Sequence, residues 1–364
     1  MKKSYDKRLV PIWALICFLI GIASTAVYFA GRRNPYISEW VVSNIGSPIR
    51  QFLAKLTALF RPSIAEIIIL ICPVILVLIF VFAAKRKSFR SRMRYLISLL
   101  AVASILWSGY IYVLGIGYSR TYVSDRMGIS NVDITEENLY TTLLILQNEC
   151  EALLDEIEYD ESGLSIANID FDKMCDEVCL GYERLSEEYP ECGIEIFNSV
   201  AKEVMFSKAM TYLEILGIYT FFTGESNVNV HYPDYTVPST IAHEFAHQRG
   251  IARENEANFI SFMVCIRADD PYVRYSGYIN MFEYVASALG RTNKPLLRSV
   301  YDNMDERMYG EMRASSDFYY DNKIDILGDI SNFFNDNYLK SQGTEGVVSY
   351  GMVVRLCVSY YCNE

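Results

Sequence analysis

The chain has 364 residues, 51% hydrophobic and 21% charged, with 20 Gly and 10 Pro, a composition that excludes disordered, collagen-like and low-complexity chains. The net charge of −11 conceals a split: residues 1–116 hold 15 Lys/Arg against three acids (Asp6, Glu39 and Glu66), and residues 117–364 hold 18 against 41. So acidic a major part excludes a nucleic-acid partner, because phosphate contacts need clustered Lys and Arg.

Three apolar runs come first. Leu9–Ala30 has 22 residues without a charge, Ile64–Ala84 has 21 with only Glu66, and Tyr95–Gly117 has 23 without one. Each is long enough to cross about 30 Å of hydrocarbon as a helix. A cleavable signal peptide is the alternative for the first, disfavoured by the length of the run and by the two spans that follow. Residues 1–117 therefore read as a membrane anchor with spans near 9–30, 64–84 and 95–117. Lys2, Lys3, Lys7 and Arg8 precede the first span, and six Lys/Arg crowd residues 85–94. Positive charge stays inside, so the N-terminus and the 85–94 loop are expected in the cytoplasm. Three crossings then place residues 118–364 outside the cell membrane. In loop 31–63, Trp40 and the spacing of Ile49, Phe52, Leu53, Leu56, Leu59 and Phe60 predict a short amphipathic helix on the outer membrane surface.

Residues 118–364 read as a mostly helical α+β domain. A long helix is expected from Asp133, with Glu136 completing a capping box and a stripe at Leu139, Leu143, Leu146, Cys150, Leu153 and Ile157. Helices are expected at about 171–185 and 194–215. Segment 217–236 turns β-branched and aromatic, which predicts a hairpin or edge strands around Gly224–Ser226. Helical spacing returns at 238–249 and 254–266, then near 277–289, 294–308, 321–336 and 348–361. Nine cysteines include no CxxC pair, which argues against a cysteine zinc site. The seven beyond the spans are read either as buried free thiols or as partly disulfide-bonded.

The chemistry concentrates in residues 243–258. The only three histidines, His231, His243 and His247, fall within 17 residues, and two of them form His243-Glu244-Phe245-Ala246-His247. On a helix, positions i and i+4 share a face, so the two imidazoles can hold one Zn2+. Glu244 lies beside that face, where it can reach water at the metal as a general base. A catalytic zinc needs a third protein ligand and an open position. No histidine remains downstream, so the third ligand is expected to be Glu254, with Glu256 the alternative. Asn258, four residues after Glu254, is placed to hydrogen-bond a ligand. Oxyanion stabilisers are sought among His231, Tyr232, Tyr235, Tyr275 and Tyr278.

This pattern resembles the zincin metallopeptidases of the gluzincin type. Their third ligand often opens an E-x-x-x-D string, which Glu254 to Asn258 matches with Asn in place of Asp. Gly250 also falls where the metzincin pattern has its glycine, but Arg253 stands where that pattern needs its third histidine. The wider string T-I-A-H-E-F-A-H-Q-R-G-I-A-R-E-N-E-A-N-F resembles a family of uncharacterised bacterial three-span membrane proteins with a domain of unknown function. Phe222-Thr-Gly-Glu-Ser-Asn-Val-Asn before it and Tyr275-Ser-Gly-Tyr278 after it extend that resemblance over nearly the whole chain. The resemblance implies a zincin-like zinc hydrolase, here a membrane-anchored peptidase acting on a peptide or protein substrate. By analogy to zincins, the strand Asn227–Val230 would pair with an extended substrate. The rival reading is a non-catalytic zinc-binding sensor or scaffold. The oligomeric state is open.

Overall fold

The computed structural model of the chain describes residues 8–343 and 350–362. Three helices are long and apolar enough to cross a membrane: α1 (Ile12–Arg33), α4 (Ile64–Ala84) and α5 (Phe89–Val113). Between the first two lie α2 (Pro35–Val41) and, after a π-helical turn, α3 (Ser47–Ala58). Helices α1 and α5 pack side by side. Ser104 donates to the Cys17 carbonyl at 3.1 Å, and the Trp107 indole donates to Thr25 at 3.0 Å. Polar contacts of this kind join apolar helices to one another.

Helix α4 is held differently. None of its apolar window is buried. Its first turn is fastened instead: Glu225 accepts from the N–H groups of Ile64 and Ala65 at 3.0 and 2.8 Å. Glu66, the one acid in that run, accepts from the N–H groups of Met205 and Phe206 at 3.0 and 2.9 Å. The one charge at the start of this apolar helix is thus tied to backbone donors.

The helix expected in loop 31–63 forms as α3, and its burial is inverted. Ser47, Arg50, Ala54 and Thr57 are buried, while Phe52, Leu56, Leu59 and Phe60 are exposed. Arg50 has no exposed surface and donates to the carbonyls of Val42 and Val113 and to Glu195. One guanidinium therefore joins α3, the end of α5 and the large domain.

Beyond α5, a 3-10 turn at Gly115–Ser119 and α6 (Val123–Met127) lead to α7 (Glu136–Glu151). Thr135, not Asp133, caps α7, its side chain accepting from the Asn138 N–H at 3.1 Å. The small hairpin of β1 (Glu158–Tyr159) and β2 (Ser165–Ile166) precedes α8 (Phe171–Glu188). The helix expected at 194–215 is largely absent: residues 194–204 are not helical and include β3 (Lys202–Glu203), residues 205–206 form a turn, and only α9 (Ser207–Tyr212) is helical. Phe197, Ser199 and Ala201 are buried and alternate with exposed Ile196, Asn198 and Val200, the two-residue period of an extended chain.

Strands β4 (Gly217–Thr220) and β5 (Glu225–Val228) form an antiparallel hairpin, and β3 pairs in parallel on the far side of β5, giving the order β3-β5-β4. The turn falls at 221–224, with Gly224 at φ +72°. A Cβ on Gly224 would come within 2.5 Å of the Leu53 side chain, so this glycine also lets the hairpin meet α3.

Helices α10 (Thr236–Gln248), α11 (Glu254–Cys265) and α12 (Pro271–Thr292) pack on one another and on α8 to form the core. The helix expected at 294–308 is two, α13 (Lys294–Tyr301) and α14 (Glu306–Asn322), the second capped by Asp305. Helix α14 escapes periodicity because its buried face is Met308, Glu311 and Ser315, polar at two of three positions. Glu311 accepts from the backbone and hydroxyl of Ser165 and from the Tyr275 hydroxyl. Helix α15 (Asp325–Ser341) lies a few residues later than expected, and α16 (Tyr350–Tyr361) closes the core against α11 and α12. Residues 348 and 349 of that last expected helix lie outside the described residues. All nine cysteines are free.

Candidate metal centre

Helix α10 carries the two histidines and is buried along nearly its whole length. Its C-terminal end is anchored from behind by Arg249, whose guanidinium sits 4.1 Å from the Tyr182 ring and donates to the Phe197 carbonyl at 2.8 Å. The helix then stops on Gly250, at φ +84°. The Gly250 N–H reaches the His247 carbonyl and the Ile251 N–H reaches the Ala246 carbonyl, each at 3.0 Å. This reversal returns the chain beneath its own last turn.

Two consequences follow. The Ile251 carbonyl comes to 2.8 Å from His247 Nδ1. A carbonyl only accepts, so Nδ1 bears a proton and Nε2 is the nitrogen turned to the cleft, the one that can ligate a metal once deprotonated. Helix α11 then starts at Glu254 and carries that carboxylate to the histidine pair. His243 Nε2 and His247 Nε2 are 3.1 Å apart, and Glu254 Oε2 is 3.2 and 3.5 Å from them. Metal bonds of about 2.0–2.1 Å in a tetrahedron need ligand atoms about 3.3–3.4 Å apart. The three separations bracket that edge, and these residues form a group that can hold a metal ion.

Glu256, two positions on, turns away. It is buried, pairs with Arg253 at 3.0 Å and accepts from the Val123 N–H at 2.9 Å. A helical repeat of about 100° per residue separates Glu254 from Glu256 by nearly half a turn, so only one of them reaches the histidines. Asn258 lines the same cleft as Glu254.

The electrostatics match the convergence. Burial lowers the tendency of His247 to protonate, but the Glu254 carboxylate outweighs it and pushes the imidazole up to about 9. Burial alone would raise Glu254, yet the two imidazoles hold its carboxyl well below the usual range. Glu244 goes the other way: burial raises it, and the histidines only partly offset this. Its Oε2 is buried without a hydrogen-bond partner. A buried carboxylate oxygen left unpaired costs about 1–3 kcal/mol or more, so this one points to a missing donor such as water or substrate. Room for Glu244 is made by Gly217 of β4, where a Cβ would sit 2.5 Å from Glu244 Oε1.

The cleft around these groups has a volume of about 530 Å³. The edge strand β4 lines it through Gly217, Ile218 and Tyr219, with Leu216 just ahead of the strand. Ser331, Asn332, Asn335, Tyr338 and Leu339 of α15 line it too, as do Tyr110 of α5 and Leu114 and Tyr118 just beyond that helix. The hydroxyls of Tyr110 and Tyr338 lie 3.2 Å apart, and the Tyr118 and Tyr338 rings meet at 6.1 Å. Burial raises the hydroxyl pKa of both Tyr118 and Tyr338, and the Glu254 charge adds to it.

None of the five oxyanion candidates lines this cleft. His231 bonds to Thr211 at 3.1 Å through Nδ1 and packs on Phe318. Tyr232 faces a smaller cavity of about 250 Å³ beside Tyr319. The Tyr235 hydroxyl donates to Glu283 at 3.1 Å, the Tyr275 hydroxyl donates to Glu311, and Tyr278 packs on Phe262. Their nearness in sequence to the histidines does not carry them to the cleft, because each is drawn to a partner on α12 or α14 or in the neighbouring core. The substrate strand is also reassigned. Strand β5 has neighbours on both sides, so Asn227–Val228 offers no free edge, whereas β4 is paired on one side only among the described residues.

Residues 43–358 match the model of the family described as protein of unknown function (DUF3810). The chain belongs to that family. No curated protein and no solved structure matches it. The match begins ahead of α3 and ends in α16, so the DUF3810 region includes the second and third spans, the metal group and α15.

Proposed function

We propose that this DUF3810 chain is a membrane-anchored zinc-dependent peptidase. The observation that carries the reading is the set His243, His247 and Glu254 at tetrahedral spacing, beside a buried carboxylate, Glu244, with a free oxygen. Two imidazoles and one carboxylate in an open cleft suit a catalytic zinc, which keeps one position for water; a structural zinc closes on four ligands. Bound there, zinc supplies a Lewis acid that lowers the pKa of water and polarises a carbonyl.

The chain's own residues do the rest. Glu244, raised by burial, takes a proton from the attacking water and returns it to the leaving amine. The His247 Nδ1–H, held by Ile251, keeps the imidazole in its ligating tautomer. Tyr118 and Tyr338 take the oxyanion role that the sequence assigned elsewhere, because both line the cleft that holds the metal group. The free edge of β4 holds an extended polypeptide by backbone hydrogen bonds, which orients a peptide bond over Glu244. Residues 118–364 face outside the cell membrane, in line with the ten Lys/Arg that flank the proposed inner ends of the spans.

Purified protein should hold about one zinc per chain and cleave a peptide library in a chelator-sensitive way. Metal without cleavage of any peptide would leave the sensor or scaffold reading. A reporter active only outside the membrane, fused after Glu364, should be active; activity of a cytoplasmic reporter there would reverse the topology. Gly217→Ala should lower kcat/KM by about 10–100-fold with zinc retained, because the added methyl displaces Glu244 and small misplacements cost that much. Kinetics paired with metal analysis check it.

A further inference from the structure

Helix α15 has two faces with opposite characters. Ser331, Asn332, Asn335, Tyr338 and Leu339 line the metal cleft. Ile326, Ile330, Phe333 and Phe334 are exposed, Phe333 and Phe334 at 64% and 68%. At about 100° per residue these stripes lie roughly 150° apart. The helix therefore covers the cleft with its polar side and turns two phenylalanines and two isoleucines outward. Asp329, Asp336 and Lys340 run along one flank. A water-facing helix has the reverse arrangement.

The position of α15 indicates what covers that stripe. Its C-terminal end is attached to the ends of the spans: Tyr338 meets Tyr110 of α5, and Gln342 just beyond the helix accepts from the Tyr28 hydroxyl of α1 at 3.2 Å. Trp107 is in ring contact with both Tyr28 and Tyr110 there, an aromatic group of the kind that marks a membrane–water boundary. Helix α3 beside the same spans shows the same inversion, polar residues inward and Phe52, Leu56 and Leu59 outward.

We propose that α15 lies on the bilayer surface, with Ile326, Ile330, Phe333 and Phe334 in the leaflet on the side of the large domain, and closes the metal cleft from there. The cleft then opens at the membrane surface, between β4 and the tyrosines at the end of α5. Resting on the peptidase reading, this names the substrate class: polypeptide segments tethered to or emerging from that leaflet, which reach β4 without leaving the surface. Lipid contact orders α15 and so couples membrane binding to the covering of the site.

The test uses full-length protein in phosphatidylcholine vesicles, with an environment-sensitive fluorophore on Phe333→Cys or, separately, Ile330→Cys. Cys17→Ser, Cys72→Ser and Cys362→Ser remove the thiols that are not buried. Lipids spin-labelled near the headgroup should quench both probes at least twofold and shift their emission to the blue. A probe on Tyr320→Cys of α14, where Tyr320 is 83% exposed, should remain unquenched. Probes at 330 and 333 that behave like the one at 320 would overturn the seat, and so would shielding without lipid quenching, which would mean a second copy or another protein covers the stripe. A lipid-anchored peptide should be cleaved at least tenfold faster than the same peptide in solution. Phe333→Asp with Phe334→Asp should erase that preference. Equal cleavage of the two peptides by the unaltered protein overturns the substrate class. Quenched probes with neither peptide cleaved would support the membrane seat and count against the peptidase reading, so the two fail separately.

Discussion

Glu244→Gln is expected to lower peptide cleavage by about 10²–10⁴-fold, the range that a positioned general base contributes. The amide has nearly the same shape, so Gly217 still makes room for it and the Tyr219 N–H still finds an oxygen. What it lacks is basicity. Glu244 is not among the three groups that converge on the metal position, so zinc content should stay at the wild-type value. Metal analysis of the same preparation separates the outcomes. Loss of zinc along with activity would make Glu244 a ligand, and full activity would move the base to another residue.

Glu254→Ala and Glu256→Ala are expected to fail in opposite ways. Removing Glu254 leaves two imidazoles and should weaken zinc binding by at least about 100-fold, as much as His243→Ala, since loss even of a residue that only supports a ligand costs 10–100-fold. Removing Glu256 takes the carboxylate from the buried Arg253 guanidinium, which keeps only the Arg120 carbonyl and the Tyr122 ring, and leaves the Val123 N–H without its acceptor. Breaking one side of a buried pair costs about 3–5 kcal/mol, well above the loss of a charge at a helix start. Glu256→Ala should therefore lower the thermal midpoint sharply while the folded fraction keeps its metal. Zinc titration and thermal unfolding of both variants decide it. In the metal-free site the His247 imidazole holds a proton up to about 9, so binding must expel it. Zinc affinity of the wild type should climb with pH by up to about tenfold per unit until that point and then level off.

Much of this was legible in the sequence because it is written at short range. The candidate spans are runs of about 20 apolar residues, the length a helix needs to cross a bilayer. The paired histidines are a helical i, i+4 signal, and Gly250 marks the turn that follows them. Where local signals compete, the reading fails. Residues 194–204 carry apolar positions compatible with a helix, but they run along the core non-helically with alternate side chains buried, Arg249 holding the Phe197 carbonyl. Helix α14 was invisible because it buries a carboxylate and a hydroxyl, which partners more than 30 residues away satisfy.

From the sequence alone came a membrane-anchored, acidic, mostly helical protein with a two-histidine metal helix and two rival third ligands. Each of those rests on composition or on spacing within a few turns of one helix. Only the tertiary structure decided which glutamate meets the histidines, that Gly217 makes room for Glu244, and that Tyr118, Tyr338 and α15 enclose the cleft while His231 and the nearby tyrosines face elsewhere. These groups come from elements separated by up to about two hundred residues. Their meeting depends on how α5, β4, α10, α11 and α15 pack, and side-chain packing at that range leaves no periodic trace along the chain.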